Sequence, residues 1–327
     1  MASSEIVAPA DIEAAAARLE GRVWHTPVER SLALSERTGA EVWLKCECFQ
    51  ATGSFKLRGA LNRLLTLSQS ALARGVITAS AGNHGLGVAE AATRLGLAAT
   101  VVVPETASPA KLRALENYAA RGIALVRFGA GYDAAEAHAL ELASTSQRTY
   151  VSAYNDPAVI AGGGTVALEA LQDVPEADVL VVPAGGGGLI GGVGVWARHA
   201  RPTARVVGVQ PETSPALLAA LQAGRLVTVP VGATLADGLA GNIEAGSITY
   251  ALAQRVVDKV VLVSEAEIAG AMRWVATEHH ILVEGSAATT VAALLADRIA
   301  NLAGRRVVLL LTGRNVAYDT LRAVLMA

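Results

Sequence analysis

The chain has 327 residues, with 27 basic and 29 acidic side chains and a net charge of −2 that is not gathered into runs of one sign. It is long enough for a large buried core, and it carries no basic surface of the kind that holds nucleic acid or anionic lipid. A content of 52% apolar residues, 32 glycines and only 4% aromatics calls for a core of Ala, Val and Leu, as in layered α/β enzymes whose partners are small molecules.

Apolar runs and helical stretches alternate along the sequence. Strands are predicted at Glu41–Cys46, Gly75–Ala79, Ala99–Val103, Ala124–Phe128, Val179–Val182, Arg205–Val209, Lys259–Val263 and Arg306–Leu311. Helices are predicted at Ala10–Leu19, Arg58–Leu67, Gly85–Leu95, Pro109–Tyr118, Asp133–Ser144, Gly162–Leu171, Glu265–His279 and Ala287–Leu302. Asp11 marks the first start, and Ser264-Glu-Ala-Glu267 matches a capping box. Such alternation implies crossover connections and parallel sheets covered by helices.

Met-Ala-Ser-Ser-Glu-Ile at the start lacks a basic segment followed by an apolar one, so no secretory signal is expected. Cys46 and Cys48 have no second pair and no nearby His, which reads as two reduced structural thiols in a cytoplasmic protein. Val179 to Ala197 is uncharged and long enough to span a bilayer. Its glycines and Pro183 instead fit a buried strand, a glycine turn and a helix start, so no membrane segment is expected. No Pro/Gly/Ser-rich linker divides the chain and nothing repeats, so any two-domain organisation must be intertwined. Only 16 residues follow Leu311, so no appended regulatory domain is expected there.

Four segments carry chemistry. Thr52-Gly-Ser-Phe-Lys-Leu-Arg-Gly59 sets Lys56 between a turn and a helix, beside an aromatic against which a flat ring can pack. The bland alternative is a helix start capped by Ser54, with Lys56 in solvent. Thr78-Ala-Ser-Ala-Gly-Asn-His-Gly85 joins a strand to a helix, where backbone N–H groups bind a carboxylate or where Asn83 and His84 simply cap. Pro183-Ala-Gly-Gly-Gly-Gly-Leu-Ile-Gly-Gly192 follows a strand with bare N–H groups able to surround a phosphate. It lacks both the Lys and Ser/Thr of a nucleotide P-loop and the G-x-G-x-x-G unit of a dinucleotide site, so the phosphate is expected to belong to a phosphorylated cofactor. Thr312, in Leu309-Leu-Leu-Thr-Gly-Arg-Asn315, ends the last strand, where open parallel sheets place ligands.

In order and spacing, these segments resemble the fold type II pyridoxal-phosphate enzymes, within them the threonine/serine dehydratase and serine racemase group. The likeness runs from about His25 to Asn315 and includes Ala153-Tyr-Asn-Asp-Pro157, Ala236-Asp-Gly238 and Glu284. The resemblance implies two intertwined open parallel-sheet domains covered by helices. The larger would hold residues 1–67 and 152–327 and the smaller 68–151. It implies that Lys56 forms the Schiff base, Phe55 contacts the cofactor ring and Asn83 bonds its phenolic oxygen. Gly185, Gly186, Gly187, Gly188 and Leu189 would hold the phosphate, and Thr312 would face the pyridine nitrogen. Ser80, Ala81, Gly82, Asn83 and His84 would bind the substrate carboxylate, and the enzyme would be a homodimer. The implied reaction takes water and then ammonia from a β-hydroxy amino acid such as threonine or serine, leaving a 2-keto acid.

Several positions depart from the group's pattern. Ala81 stands where serine racemases carry a serine that delivers a proton from the opposite face, which favours elimination over racemisation. Gly232 and Ala233 occupy the region of a carboxylate partner for Asp237, so no essential metal is expected. Arg314 replaces a glycine and Gly163 replaces a glutamine; Arg314 is expected either to bind an extra carboxylate or to pair with a surface acid. Asp237-Gly-Leu-Ala-Gly-Asn-Ile-Glu244 is similar to the hydroxyectoine-catabolic dehydratases of the same family. A larger substrate, namely a hydroxyectoine derivative, 3-hydroxyaspartate or phenylserine, is therefore an alternative, as is racemisation.

Overall fold

The computed structural model describes residues 6–326. Its strands are β1 (Val28–Arg30), β2 (Glu41–Lys45), β3 (Val76–Ala79), β4 (Ala99–Val103), β5 (Ile123–Arg127), β6 (Thr149–Tyr150), β7 (Val179–Pro183), β8 (Arg205–Pro211), β9 (Lys259–Val263) and β10 (Arg306–Leu310). They form a six-stranded sheet in the order β1-β2-β10-β7-β8-β9 and a four-stranded sheet in the order β5-β4-β3-β6. All neighbours run parallel except β1, which pairs antiparallel with β2 at the edge. The α/β reading with two helix-covered parallel sheets is therefore correct.

The strands are near-continuous apolar runs because both faces of each sheet are covered. Along β7, Val179 and Val181 enter one core with Val207, Val209, Val307 and Leu309, while Leu180 and Val182 enter another with Val206, Val308 and Leu310. This is the period of two expected of a pleated strand. In the smaller sheet, Val101 and Val103 face one core, and Ile77, Ala79 and Val102 the other.

Each predicted strand and helix is present, most with ends shifted by no more than two residues, while the predicted Gly162–Leu171 helix runs over Pro157–Asp173. The last predicted helix, Ala287–Leu302, instead covers Gly285–Leu295, because Asp297 and Asn301 adopt left-handed backbone (φ 53° and 60°) that breaks the spiral. The Ser264–Glu267 capping box forms, with reciprocal bonds of 3.3 and 2.7 Å. The strands β1 and β6 were not anticipated, being three and two residues long. Helices at Leu32–Thr38, Gln69–Arg74, Ala216–Ala223, Ile248–Val256 and Tyr318–Met326 were not anticipated either.

Val179 to Ala197 resolves into β7, a glycine turn and the start of helix Gly188–Ala200, and no helix among the described residues is long and apolar enough to cross a membrane. Met1 to Glu5, on which the signal-peptide expectation rests, lies outside the described residues. Cys46 and Cys48 are buried and free.

Candidate active site

A close helix contact and an ion network position Lys56. The residue opens helix Lys56–Leu65, which crosses helix Pro157–Asp173 so closely that a Cβ on Gly162 would come within 2.6 Å of the Arg58 carbonyl. Arg58 is fully buried and donates to Glu47 and Glu169 at 2.7–2.8 Å; Glu169 also accepts from the buried Lys45 at 2.7 Å. Before the helix, Ser54 and Gly313 form an isolated bridge and the Phe55 N–H donates to the Thr312 carbonyl at 3.1 Å. Ser54 does not cap this helix: its hydroxyl is buried without a partner.

Lys56 does not point into open solvent. Its Nζ donates to the Ala153 carbonyl at 2.7 Å and stands 5.2 Å from the Phe55 ring centroid. Burial lowers its pKa to about 8, partly opposed by the Glu284 carboxylate. A small cavity bounded by Phe55, Lys56, Ala153, Tyr154, Gly163 and Leu189 adjoins it and reaches Gly188.

The glycine segment follows β7 as anticipated. Gly187 takes φ +87° and leads into helix Gly188–Ala200, and the N–H groups of Gly185 to Leu189 have no acceptor among the described residues. Five free N–H groups at a helix N-terminus are a seat for an anion. The Tyr154 ring lies so close that a Cβ on Gly186 would be 2.7 Å from it, and the Thr249 hydroxyl donates to the Gly186 carbonyl at 2.7 Å.

Ser80, Ala81 and Gly82 turn from β3 into helix Asn83–Leu95, with the Gly82 N–H donating to the Ser80 hydroxyl at 3.1 Å. His84 is buried, its Nε2 lies 3.0 Å from the Val151 carbonyl, and its Nδ1 has no partner. Burial and then the nearby Lys56 cation lower its pKa to about 3, so Nε2 carries the proton and donates. Asn83 does not cap the helix through its side chain. Its Nδ2 donates to Glu284 Oε1 at 2.7 Å and its Oδ1 accepts from Asn315 Nδ2 at 2.7 Å. Burial raises the Glu284 pKa to about 7, although the bond from Asn83 favours the ionised form.

Phe55, Lys56, Gly188 and Leu189 thus share one cavity, Thr312 is joined to them through Phe55, and Asn83 is joined through Glu284 and the Gly313 turn. Sequence reasoning assigned no role to Ala153, Tyr154, Glu284 or Asn315, although all four lie in the motifs singled out. Arg314 pairs with no acid among the described residues, and its guanidinium stands 5.6 Å from the Phe49 ring centroid. Asp237 pairs with Lys111 at 2.5 Å, and no three His, Cys, Asp or Glu side chains gather to hold a metal among the described residues.

These residues fit pyridoxal phosphate. The free N–H groups suit its phosphate, the enclosed amine its aldehyde and the Phe55 ring its flat face. The orphaned His84 Nδ1 and Ser54 hydroxyl mark polar space beside them.

The model of the family described as "Pyridoxal-phosphate dependent enzyme" matches residues 19–313. The chain is 42% identical over 313 residues to an L-threonine ammonia-lyase of Geobacter sulfurreducens, covering 96% of this chain and 77% of the relative. It is 38% identical over 311 residues to the catabolic L-threonine dehydratase of Escherichia coli, covering 95% of this chain and 93% of the relative. Maize serine racemase superposes with a TM-score of 0.91 at 31% identity, over 98% of this chain and 97% of that one. The chain therefore belongs to the pyridoxal-phosphate-dependent enzymes of fold type II, in the threonine/serine dehydratase group, and its cofactor is pyridoxal phosphate.

Proposed function

We propose that this enzyme removes water and then ammonia from a small β-hydroxy amino acid, threonine or serine, to give a 2-keto acid. The observation that carries the reading is the enclosed Lys56 amine, with its pKa lowered to about 8, set between a phosphate seat and a turn with free N–H groups. When bound, pyridoxal phosphate supplies an aldehyde for the lysine and a ring that withdraws electrons from the substrate's α-carbon. Lys56 Nζ holds the cofactor and, once released, takes the α-proton. Gly185, Gly186, Gly187, Gly188 and Leu189 hold the phosphate, and Phe55 packs on the ring. The Thr312 hydroxyl faces the ring nitrogen without fixing a proton on it, and Asn83 donates to the ring oxygen. Ser80 to His84 hold the substrate carboxylate, with the N–H groups of Ala81, Asn83 and His84 free to donate, since those of Ser80 and Gly82 are bonded to the Val102 carbonyl and the Ser80 hydroxyl.

Ala81 has no hydroxyl to carry a proton on the opposite face, which supports elimination over racemisation. No metal enters this reading; activity lost in excess EDTA and restored by Mg²⁺ would contradict it. The reading includes a large domain of residues 1–67 and 152–327 that carries Lys56 and the glycine loop, and a small domain of residues 68–151 that closes over substrate. It also includes a homodimer in the cytoplasm.

A larger substrate, namely a hydroxyectoine derivative, 3-hydroxyaspartate or phenylserine, is the second reading; the likeness of Asp237-Gly-Leu-Ala-Gly-Asn-Ile-Glu244 to the hydroxyectoine-catabolic dehydratases supports it.

The test is a 2-keto acid assay of the cofactor-loaded enzyme, with chiral analysis of residual substrate. Turnover of L-threonine or L-serine, abolished in Lys56→Ala, is expected. Full elimination activity in Lys56→Ala would overturn the reading, and activity confined to a larger substrate would select the second.

A further inference from the structure

We propose that Glu284 and Asn315 are positioning residues that fix the side-chain amide of Asn83 in a single orientation, with one amide hydrogen held free for the ring oxygen of the cofactor. The inference rests on the reading of Asn83 as the partner of that oxygen.

Amide groups carry a donor end and an acceptor end of nearly equal shape, so their orientation is set by what surrounds them. Here the chain of bonds admits one solution. The Thr52 carbonyl can only accept, and it lies 2.8 Å from the Asn315 side chain, so the facing atom there is the Nδ2 donor. The same Nδ2 lies 2.7 Å from Asn83, which must therefore present its oxygen. The remaining end of Asn83 is then its Nδ2, and it meets Glu284 Oε1 at 2.7 Å. Glu284 is held in turn, because its Oε2 accepts from the Asn315 backbone N–H at 3.1 Å and its own N–H donates to the Gly313 carbonyl at 3.1 Å.

The seat is built for close approach. A Cβ on Gly53 would lie 2.7 Å from Asn315 Oδ1, and one on Gly313 would lie 2.6 Å from Glu284 Oε1. Both glycines flank residues already placed beside the cofactor, Lys56 on one side and Thr312 on the other. An Nδ2 group has two hydrogens, and the bond to Glu284 uses one. The second has no acceptor among the described residues. A flipped Asn83 would present its carbonyl to the cofactor's ring oxygen, two acceptors face to face.

The experiment titrates the full-length apoprotein with pyridoxal phosphate, following affinity and the long-wavelength absorbance band, in Asn83→Ala, Asn315→Ala and the double variant, alongside the apoprotein Tm of each. Asn315→Ala is expected to weaken cofactor binding by roughly three- to tenfold, the worth of one hydrogen bond, and to shift the band in the same sense as Asn83→Ala. The double variant should be no worse than Asn83→Ala alone, since a residue acting only through Asn83 has nothing left to position.

Additive losses in the double variant, or an unmoved band in Asn315→Ala while Asn83→Ala moves it, would overturn the inference and leave the reading of Asn83 standing. A silent Asn83→Ala would remove that reading and the inference with it. Should Asn315→Ala fail to fold, Glu284→Gln carries the same test. It keeps the volume while turning one acceptor oxygen into a donor, with the same band shift expected and an unmoved band counting against the inference.

Discussion

Lys111 on helix Pro109–Glu116 meets Asp237 at 2.5 Å, an ion pair that joins a helix following β4 of the four-stranded sheet to the turn at Asp237–Leu239 beside the six-stranded one. Both partners are exposed, 36% and 54%, so the pair adds at most about 1 kcal/mol to stability. Because it bridges the two sheets, it would have a larger part in the proposed closure of residues 68–151 over substrate. Lys111→Ala should leave the Tm nearly unchanged and raise KM by roughly fivefold, the equivalent of ~1 kcal/mol, with the difference fading at high salt. Steady-state kinetics at low and high ionic strength will check this; an unchanged KM would remove the pair from the closing motion.

Lys56 can react with the cofactor only as the free amine. With its pKa lowered to about 8 by burial, the rate of cofactor capture by the apoprotein should rise about tenfold per pH unit below 8 and level off above it. An exposed lysine would keep climbing towards 10.5. Stopped-flow absorbance at a series of pH values distinguishes the two, and Lys56→Ala should show no capture step at any pH.

His84 is neutral in the fold down to a pKa of about 3, whereas the unfolded chain protonates it near 6.5. Between those values the unfolded state binds more protons, so this residue's contribution to stability is lost as pH falls, with a limiting slope of about 1.4 kcal/mol per pH unit. Glu284 works in the opposite sense: with its pKa raised from 4.5 to about 7, the folded state holds the extra proton, and stability drops as pH rises through that window. Denaturant unfolding of the apoprotein should therefore show a flatter acid limb in His84→Gln. An unaltered acid limb would mean that His84 is solvated.

Arg58 is expected to matter more for stability than any exposed pair. Arg58→Met would leave the fully buried Glu47 with only the Thr26 hydroxyl as a side-chain donor and would remove one of Glu169's two cationic partners, at a cost of about 3–5 kcal/mol. A loss below about 1 kcal/mol in urea unfolding would show that water or a proton takes the guanidinium's place.

The parts of the enzyme visible in its sequence are those made from contiguous residues. The parallel strands were readable because both their faces are buried, and the run of free N–H groups after β7 was readable because four successive glycines follow an apolar strand. What escaped was assembled from distant segments. Ala153 offers only a backbone carbonyl to Lys56, and no side-chain pattern marks such a role. Glu284 and Asn315 reach Asn83 from 201 and 232 residues away. The edge strand β1 and the two-residue β6 are defined by their neighbours' hydrogen bonds more than by their own composition.

The placement of β10 also sets an order of events during synthesis. The last strand made lies between β2 and β7, and the turn after it pairs Gly313 with Ser54 next to the reactive lysine. Until residues 306–315 leave the ribosome, β2 has no parallel neighbour and the Phe55 N–H lacks its Thr312 acceptor. The bridge beside Lys56, the proposed cofactor-binding lysine, therefore forms only on closure of a loop of some 260 residues, the slow, non-local kind of contact.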